Sequence, residues 1–158
     1  MRNLKTLNII IDTREQQPLD FSFYPNITTV SKKLKTGDYC LSGMEDYLVI
    51  ERKHSVGEIT NNIGIEKRRF LNELDRMSSI KYTYLICEFS ITNVLEFPKN
   101  SGIPENKWSK LKMNGKFILK TLYGFEEKYG ITVCFCGNRD GATRKIIEVC
   151  EYVQKIMV

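Results

Sequence analysis

Apolar residues in the first half of the chain fall in short runs broken by polar and charged stretches. Leu7 to Asp12, Thr28 to Leu34, Tyr39 to Leu41, Tyr47 to Lys53 and Tyr82 to Phe89 are such runs, and Ile131 to Phe135 repeats the pattern later. Runs of this length, rich in Ile, Val and Tyr, predict β-strands. A helical period takes over elsewhere. From Ile65 to Met77, the apolar residues Phe70, Leu74 and Met77 recur at i, i+4 and i+7, opposite Arg68, Asn72, Asp75 and Arg76. A second helical region spans Glu105 to Lys128, with a break expected at Gly115. A third runs from about Asp140, a candidate N-cap, to Met157, and is expected to bury Ile146, Val149, Tyr152, Val153 and Ile156. Hairpins first and strand-helix-strand crossovers later predict an α/β fold, a central mixed sheet flanked by helices.

Strands that end in charge change the picture. The run Leu48 to Ile50 closes on Glu51-Arg52-Lys53, and the first strand closes on Asp12-Thr13-Arg14-Glu15. Side chains alternate along a strand, so Glu51 and Lys53 share one face and Arg52 points to the other. Gly37-Asp38-Tyr39 lies one hairpin upstream, across the turn Ser42 to Asp46. If Asp38 stands on the neighbouring strand, two carboxylates and a lysine converge, the minimum for holding a hard divalent cation beside a scissile phosphate. A solvated edge-strand ion pair between Glu51 and Lys53 is the plainer alternative.

The series IDTRE (11–15), GDY (37–39), IERK (50–53) and RFLNELDRM (69–77) resembles the XPF-type nuclease domain, the XPF/Hef branch of the PD-(D/E)XK superfamily, in a stand-alone form like that of phage and bacterial relatives. The similarity runs from about residue 7 to the C-terminus. It implies a restriction-endonuclease-like core and a metal-dependent nuclease acting on DNA, commonly on flap, fork or junction substrates. Carried over by position, Asp38 and Glu51 would ligate Mg²⁺ or Mn²⁺ with the Arg52 carbonyl, and Lys53 would be the catalytic lysine. Asp12, Arg14 and Glu15 would border the same site. Arg69 would contact a phosphate and Glu73 complete the acidic rim, although two residues four apart on a helix can also simply pair. One departure stands out. Family members carry an aspartate four residues after the lysine, where this chain has Gly57, and Glu58 follows one position later. Glu58 either takes over that acidic role or is a first-turn glutamate facing the helix dipole.

Length and composition fit one compact domain over 1–158, with 42% apolar residues and no Pro/Gly/Ser-rich linker, and hence no separate helicase or helix-hairpin-helix domain. No apolar run approaches the roughly 20 residues of a membrane span, and no signal-peptide pattern opens the chain. A soluble, cytoplasmic protein is expected. Five cysteines in irregular spacing suit free thiols, and a single histidine leaves no zinc set. The segment Lys99 to Lys120 holds Lys99, Lys107, Lys110, Lys112, Lys116 and Lys120 against Glu105 alone, which equals the chain's whole net charge of +5. Such density suits DNA phosphates, with Lys107, Lys110, Lys112 and Lys116 as candidate contacts, or else a solubilising helix face. Trp108 among them could stack on an unpaired base or belong to the core. His54 is expected at the surface or facing DNA. A homodimer or partner subunit would supply substrate selectivity. The competing functions are a non-catalytic DNA-binding subunit and an exonuclease on the same core.

Overall fold

The computed structural model describes residues 5–157. Six strands form one mixed sheet: β1 (Leu7–Ile11), β2 (Ile27–Ser31), β3 (Tyr39–Leu41), β4 (Leu48–Lys53), β5 (Tyr82–Cys87) and β6 (Thr132–Phe135). Their order is β2-β1-β3-β4-β5-β6. The β1-β3 and β3-β4 pairs are antiparallel, and β1-β2, β4-β5 and β5-β6 are parallel, so β4 is interior. Between and after the strands lie α1 (Val56–Ile63), α2 (Lys67–Ser78), α3 (Ile91–Leu95), a 3-10 turn at Glu105–Lys110, α4 (Gly115–Tyr129) and α5 (Arg139–Met157). The α/β architecture read from the sequence is the one observed.

Each face of the sheet has its own core. On one, α5 lays Ile146, Val149, Cys150 and Val153 against Ile10, Cys40, Ile50 and Ile86. On the other, Ile59 of α1, Phe70 and Leu74 of α2, and Ile118 and Leu122 of α4 cover Val49, Leu85 and Cys87. The alternation of β4 is visible in this division. Leu48 and Ile50 join the α5 side, and Val49 the α1/α2/α4 side.

Several local expectations are corrected. Strand β2 stops at Ser31, because Leu34 turns its N–H to the Asp12 carboxylate at 2.8 Å instead of into a ladder. The helical break near Gly115 is the segment 111–114, and Gly115 itself opens α4 behind the cap Asn114, whose side chain accepts from the Phe117 N–H. Asp140 lies inside α5; the capping bond comes from Asn138, whose Oδ1 accepts the Gly141 N–H at 2.7 Å. Tyr152 and Ile156 are 53% and 44% exposed, because Ile146, Val149, Cys150 and Val153 already fill the inward stripe. Tyr152 instead packs edge-on against Tyr82. Helix α3 was not anticipated, although Ser90 and Asn93 form the reciprocal cap that announces it.

Candidate active site

The centre of the site is the charged end of β4. Gly37, at φ 87°, brings its backbone so close to β4 that an added Cβ would meet Val49 Cγ1 at 2.9 Å. The next residue, Asp38, donates its N–H to the Ile50 carbonyl (2.8 Å), and its Oδ2 accepts the Arg52 N–H (2.8 Å). Asp38 is thereby fixed beside Glu51. Glu51 is buried, and Lys53, also buried, places Nζ 3.4 Å from Glu51 Oε1, 3.6 Å from Glu58 Oε1 and 5.0 Å from the Phe70 ring centroid. Glu51 and Lys53 share a face as the strand period predicts, and Asp38, just ahead of β3 and bonded to Ile50 of β4, brings the second carboxyl beside them.

Electrostatics set the protonation of the group. Burial pushes the Asp38 carboxyl up to about 6 against the pull of the Arg52 N–H, and the neighbouring Glu15 charge adds to the rise. Glu51 is raised well above the usual carboxylate range by burial and then by Asp38. For Lys53, burial alone would lower the pKa, but the surrounding Glu51, Glu58, Glu73 and Asp38 outweigh it and keep the ammonium charged. Two carboxylates that repel each other around one ammonium make a concentration of negative charge short of cations.

Arg52 departs to the opposite face. Its guanidinium donates to Glu88 Oε2 at 2.8 Å, to Glu15 Oε2 at 2.7 Å and to the Gln17 carbonyl at 2.8 Å. Glu15 also accepts the Tyr39 hydroxyl at 2.7 Å. The Glu15 carboxylate is thus engaged behind the strand, while the residue still lines a cleft in front. Asp12 is likewise occupied. Its Oδ2 accepts Arg14 Nε at 2.7 Å and its Oδ1 the Leu34 N–H, bonds that outweigh the effect of burial and leave its pKa below the ordinary value.

At the start of α1, Ser55 caps the helix by accepting the Glu58 N–H, and the Glu58 carboxylate reaches back to Lys53 and pairs with exposed His54. An aspartate at position 57 would force the Ser101 loop to move. The Gly57 N–H donates to the Ser101 carbonyl, and a Cβ would run into that same oxygen. The acidic group one residue later is the one that faces the lysine.

Two clefts meet at Asp38 and Glu51. One, of about 330 Å³, is walled by Lys35, Arg69, Glu73 and Arg76 above a floor of Asp38, Glu51 and Lys53. The other, of about 380 Å³, lies toward Glu15, His54 and Glu58. Arg14 borders both. Arg69 and Glu73 share the first cleft without forming an ion pair among the described residues. Of the lysine-rich segment, Lys110 and Lys112 edge a further groove that reaches back to His54 and Glu58, whereas Lys107 and Lys116 are exposed and line none of these clefts. Trp108 is half-buried and donates its indole N–H to the Ile103 carbonyl at 2.9 Å. The cations nearest the acidic centre that the sequence did not single out are Lys35 and Arg76. They lie 41 positions apart, and only the register of β3 against β4 and the seating of α2 bring them together.

The oxygen donors fit a hard cation. Among the described residues no three His, Cys, Asp or Glu side chains form a closed set, and Mg²⁺ asks for none: it commonly takes one or two carboxylates, keeps waters, and completes its shell with substrate phosphate. The Arg52 N–H points toward Asp38, and a residue in a strand directs its carbonyl to the same edge as its N–H, so that oxygen lies on the edge where Asp38 stands.

The sequence matches the ERCC4 domain over residues 11–148, and the chain belongs to that family. Among solved structures, XPF from Aeropyrum pernix superposes with a TM-score of 0.68 at 15% identity, covering 92% of this chain and 61% of that one. A. pernix XPF in complex with DNA gives 0.64 at 15% identity, covering 94% and 66%. The chain therefore has the XPF nuclease fold and spans less than two thirds of the length of these structures. No curated protein sequence matches it. No helix among the described residues is long and apolar enough to cross a membrane.

Proposed function

We propose that the protein is a metal-dependent DNA endonuclease that hydrolyses phosphodiester bonds at branched or flapped sites. One observation carries this reading: Asp38, Glu51 and Lys53 converge on the floor of a cleft whose rim is cationic, in a chain of the ERCC4 family. Asp38, Glu51 and the Arg52 carbonyl would hold Mg²⁺ or Mn²⁺, which when bound polarises the phosphodiester and acidifies a water. Lys53, held between Glu51 and Glu58, orients the attacking water or meets the charge that builds on the phosphoryl oxygens. Arg14, Arg69, Lys35 and Arg76 neutralise phosphates on either side. Asp12 and Glu15 act at one remove, by holding Arg14 and Arg52. Glu58 replaces the family's displaced aspartate as a positioning residue for Lys53, and Glu73 completes the acidic wall. The A. pernix relative is solved with DNA, which supports the choice of polymer.

Incubation of end-labelled flap, fork, four-way-junction and linear duplex DNA with Mg²⁺ or Mn²⁺ tests the reading. Discrete cuts near branch points are expected, and Asp38→Ala and Lys53→Met should each lower the rate by about 10²-fold or more. Shortening from an end would favour the exonuclease reading, and binding without cleavage in either metal a DNA-binding subunit. A second copy of the chain is the proposed partner, docking on the half-exposed Leu95 of α3 and Phe117 of α4.

A further inference from the structure

Beside the central cleft lies a second groove, of about 440 Å³, on the side of the β2-β3 connection. Lys32, Lys33, Lys35 and Arg76 line it over an apolar floor of Leu48, Val49 and Ile80, with the acidic Glu45 and Asp46 on the same lining. Lys35, Thr36 and Arg76 belong to both depressions, so the groove is continuous with the acidic centre. Its cations are largely unneutralised. Lys33, Lys35 and Arg76 take part in no ion pair among the described residues, and Lys32 has only a solvent-exposed contact with Glu45 at 3.8 Å. Arg76 Nε stands 3.5 Å from the Thr36 hydroxyl, which steadies the guanidinium at the junction of the two depressions. Four cations outnumber Glu45 and Asp46 on this concave surface, and such an excess of one sign focuses the field.

We propose that Lys32, Lys33, Lys35 and Arg76 form a phosphate track that carries one DNA strand away from the acidic centre. The proposal rests on the nuclease reading for its occupant, because the continuity of the groove with the cleft makes the strand that holds the scissile phosphate the polyanion that reaches it. It also relocates the main electrostatic contact. The lysine-rich segment stands out in the sequence because six lysines fall between positions 99 and 120 against one glutamate, whereas the track is assembled from Lys32, Lys33 and Lys35 and the distant Arg76.

Binding of fluorescein-labelled flap DNA in EDTA, followed by anisotropy between roughly 50 and 200 mM salt, counts the phosphates engaged. Lys33→Gln/Lys35→Gln is expected to flatten the slope of log K against log salt by about 2, since each lost contact removes about 0.9. The charge-matched Lys128→Gln/Lys155→Gln, at exposed positions outside every groove described above, is expected to keep the wild-type slope. A wild-type slope for the first variant, or equal flattening by both, overturns the track. The readout excludes divalent metal, so it is separate from hydrolysis. Cleavage with an unaltered slope would sink the track and spare the nuclease reading, whereas a flattened slope in a protein that never cleaves would do the reverse.

Discussion

Asp38 illustrates how a single carboxyl can weaken the fold it belongs to. Its pKa is about 6 in the folded protein against an ordinary value of 3.8, chiefly because it is buried. A carboxyl raised in this way favours the folded state fully below its unfolded pKa, and that contribution is lost as pH rises through the folded value. The metal-free protein should therefore lose stability between about pH 4 and 6. Asp38→Asn keeps an acceptor for the Arg52 N–H and removes the repulsion with Glu51. In EDTA at pH 8 we expect it to be roughly 1–3 kcal/mol more stable than wild type by urea unfolding, with the difference gone at pH 4. A divalent cation should raise the wild-type midpoint at pH 8 and leave that of Asp38→Asn nearly unchanged. A variant less stable than wild type at pH 8 would show that the carboxylate is paired and not repelled.

At the scale of elements, β4 carries two kinds of charge on its two faces, and they should fail differently. Arg52→Ala leaves the partly buried Glu15 with only the Tyr39 hydroxyl and Glu88 with only the longer Arg139 contact at 4.0 Å, a loss of up to about 3 kcal/mol that chemical denaturation would register; Arg52→Lys cannot restore the forked contacts. Gly57→Ala tests the junction of α1 with the loop at Ser101. The new Cβ meets the Ser101 carbonyl, and about 1–3 kcal/mol of overpacking should appear as a lower melting temperature; an unchanged midpoint would mean that the loop yields. The alternation of Glu51 and Lys53 against Arg52 was legible in the sequence, because a strand has only one period. The partners of Arg52 were not. Glu15 and Glu88 lie 37 and 36 positions away, and nothing local in the sequence marks either for the back of the strand. Glu58 was ambiguous for a related reason: its direction depends on where α1 begins, and that is fixed by Ser55 and by the Gly57-Ser101 contact.

Across the whole molecule, the two cores hold a sheet whose interior strand ends in charge, and α3 with α4 leaves Leu95 and Phe117 each 49% exposed. If a second copy covers them, the wild type should sediment as a dimer at micromolar concentration and Leu95→Glu/Phe117→Glu as a monomer; a wild-type monomer would remove the dimer from the account. The fold class and the shared face of Glu51 and Lys53 could be read ahead of the structure because both depend on short-range patterns along the chain, whereas the place of Asp38 rested on a strand pairing and on the family resemblance. Of the cationic rim, Arg14 and Arg69 were expected, but Lys35 and Arg76 could not be, since they become neighbours only through the packing of α2 against the sheet. One consequence of the two-faced strand concerns tolerance to change. The Arg52 backbone, and not its side chain, touches Asp38, so under the proposed function residue identity at 52 would govern whether the protein accumulates, while identity at 51 and 53 would govern whether it cuts. Neighbouring positions a few ångströms apart would thus sort into separate phenotypes, abundance at one and turnover at the next, with the two-residue rhythm of the strand written into the mutational record.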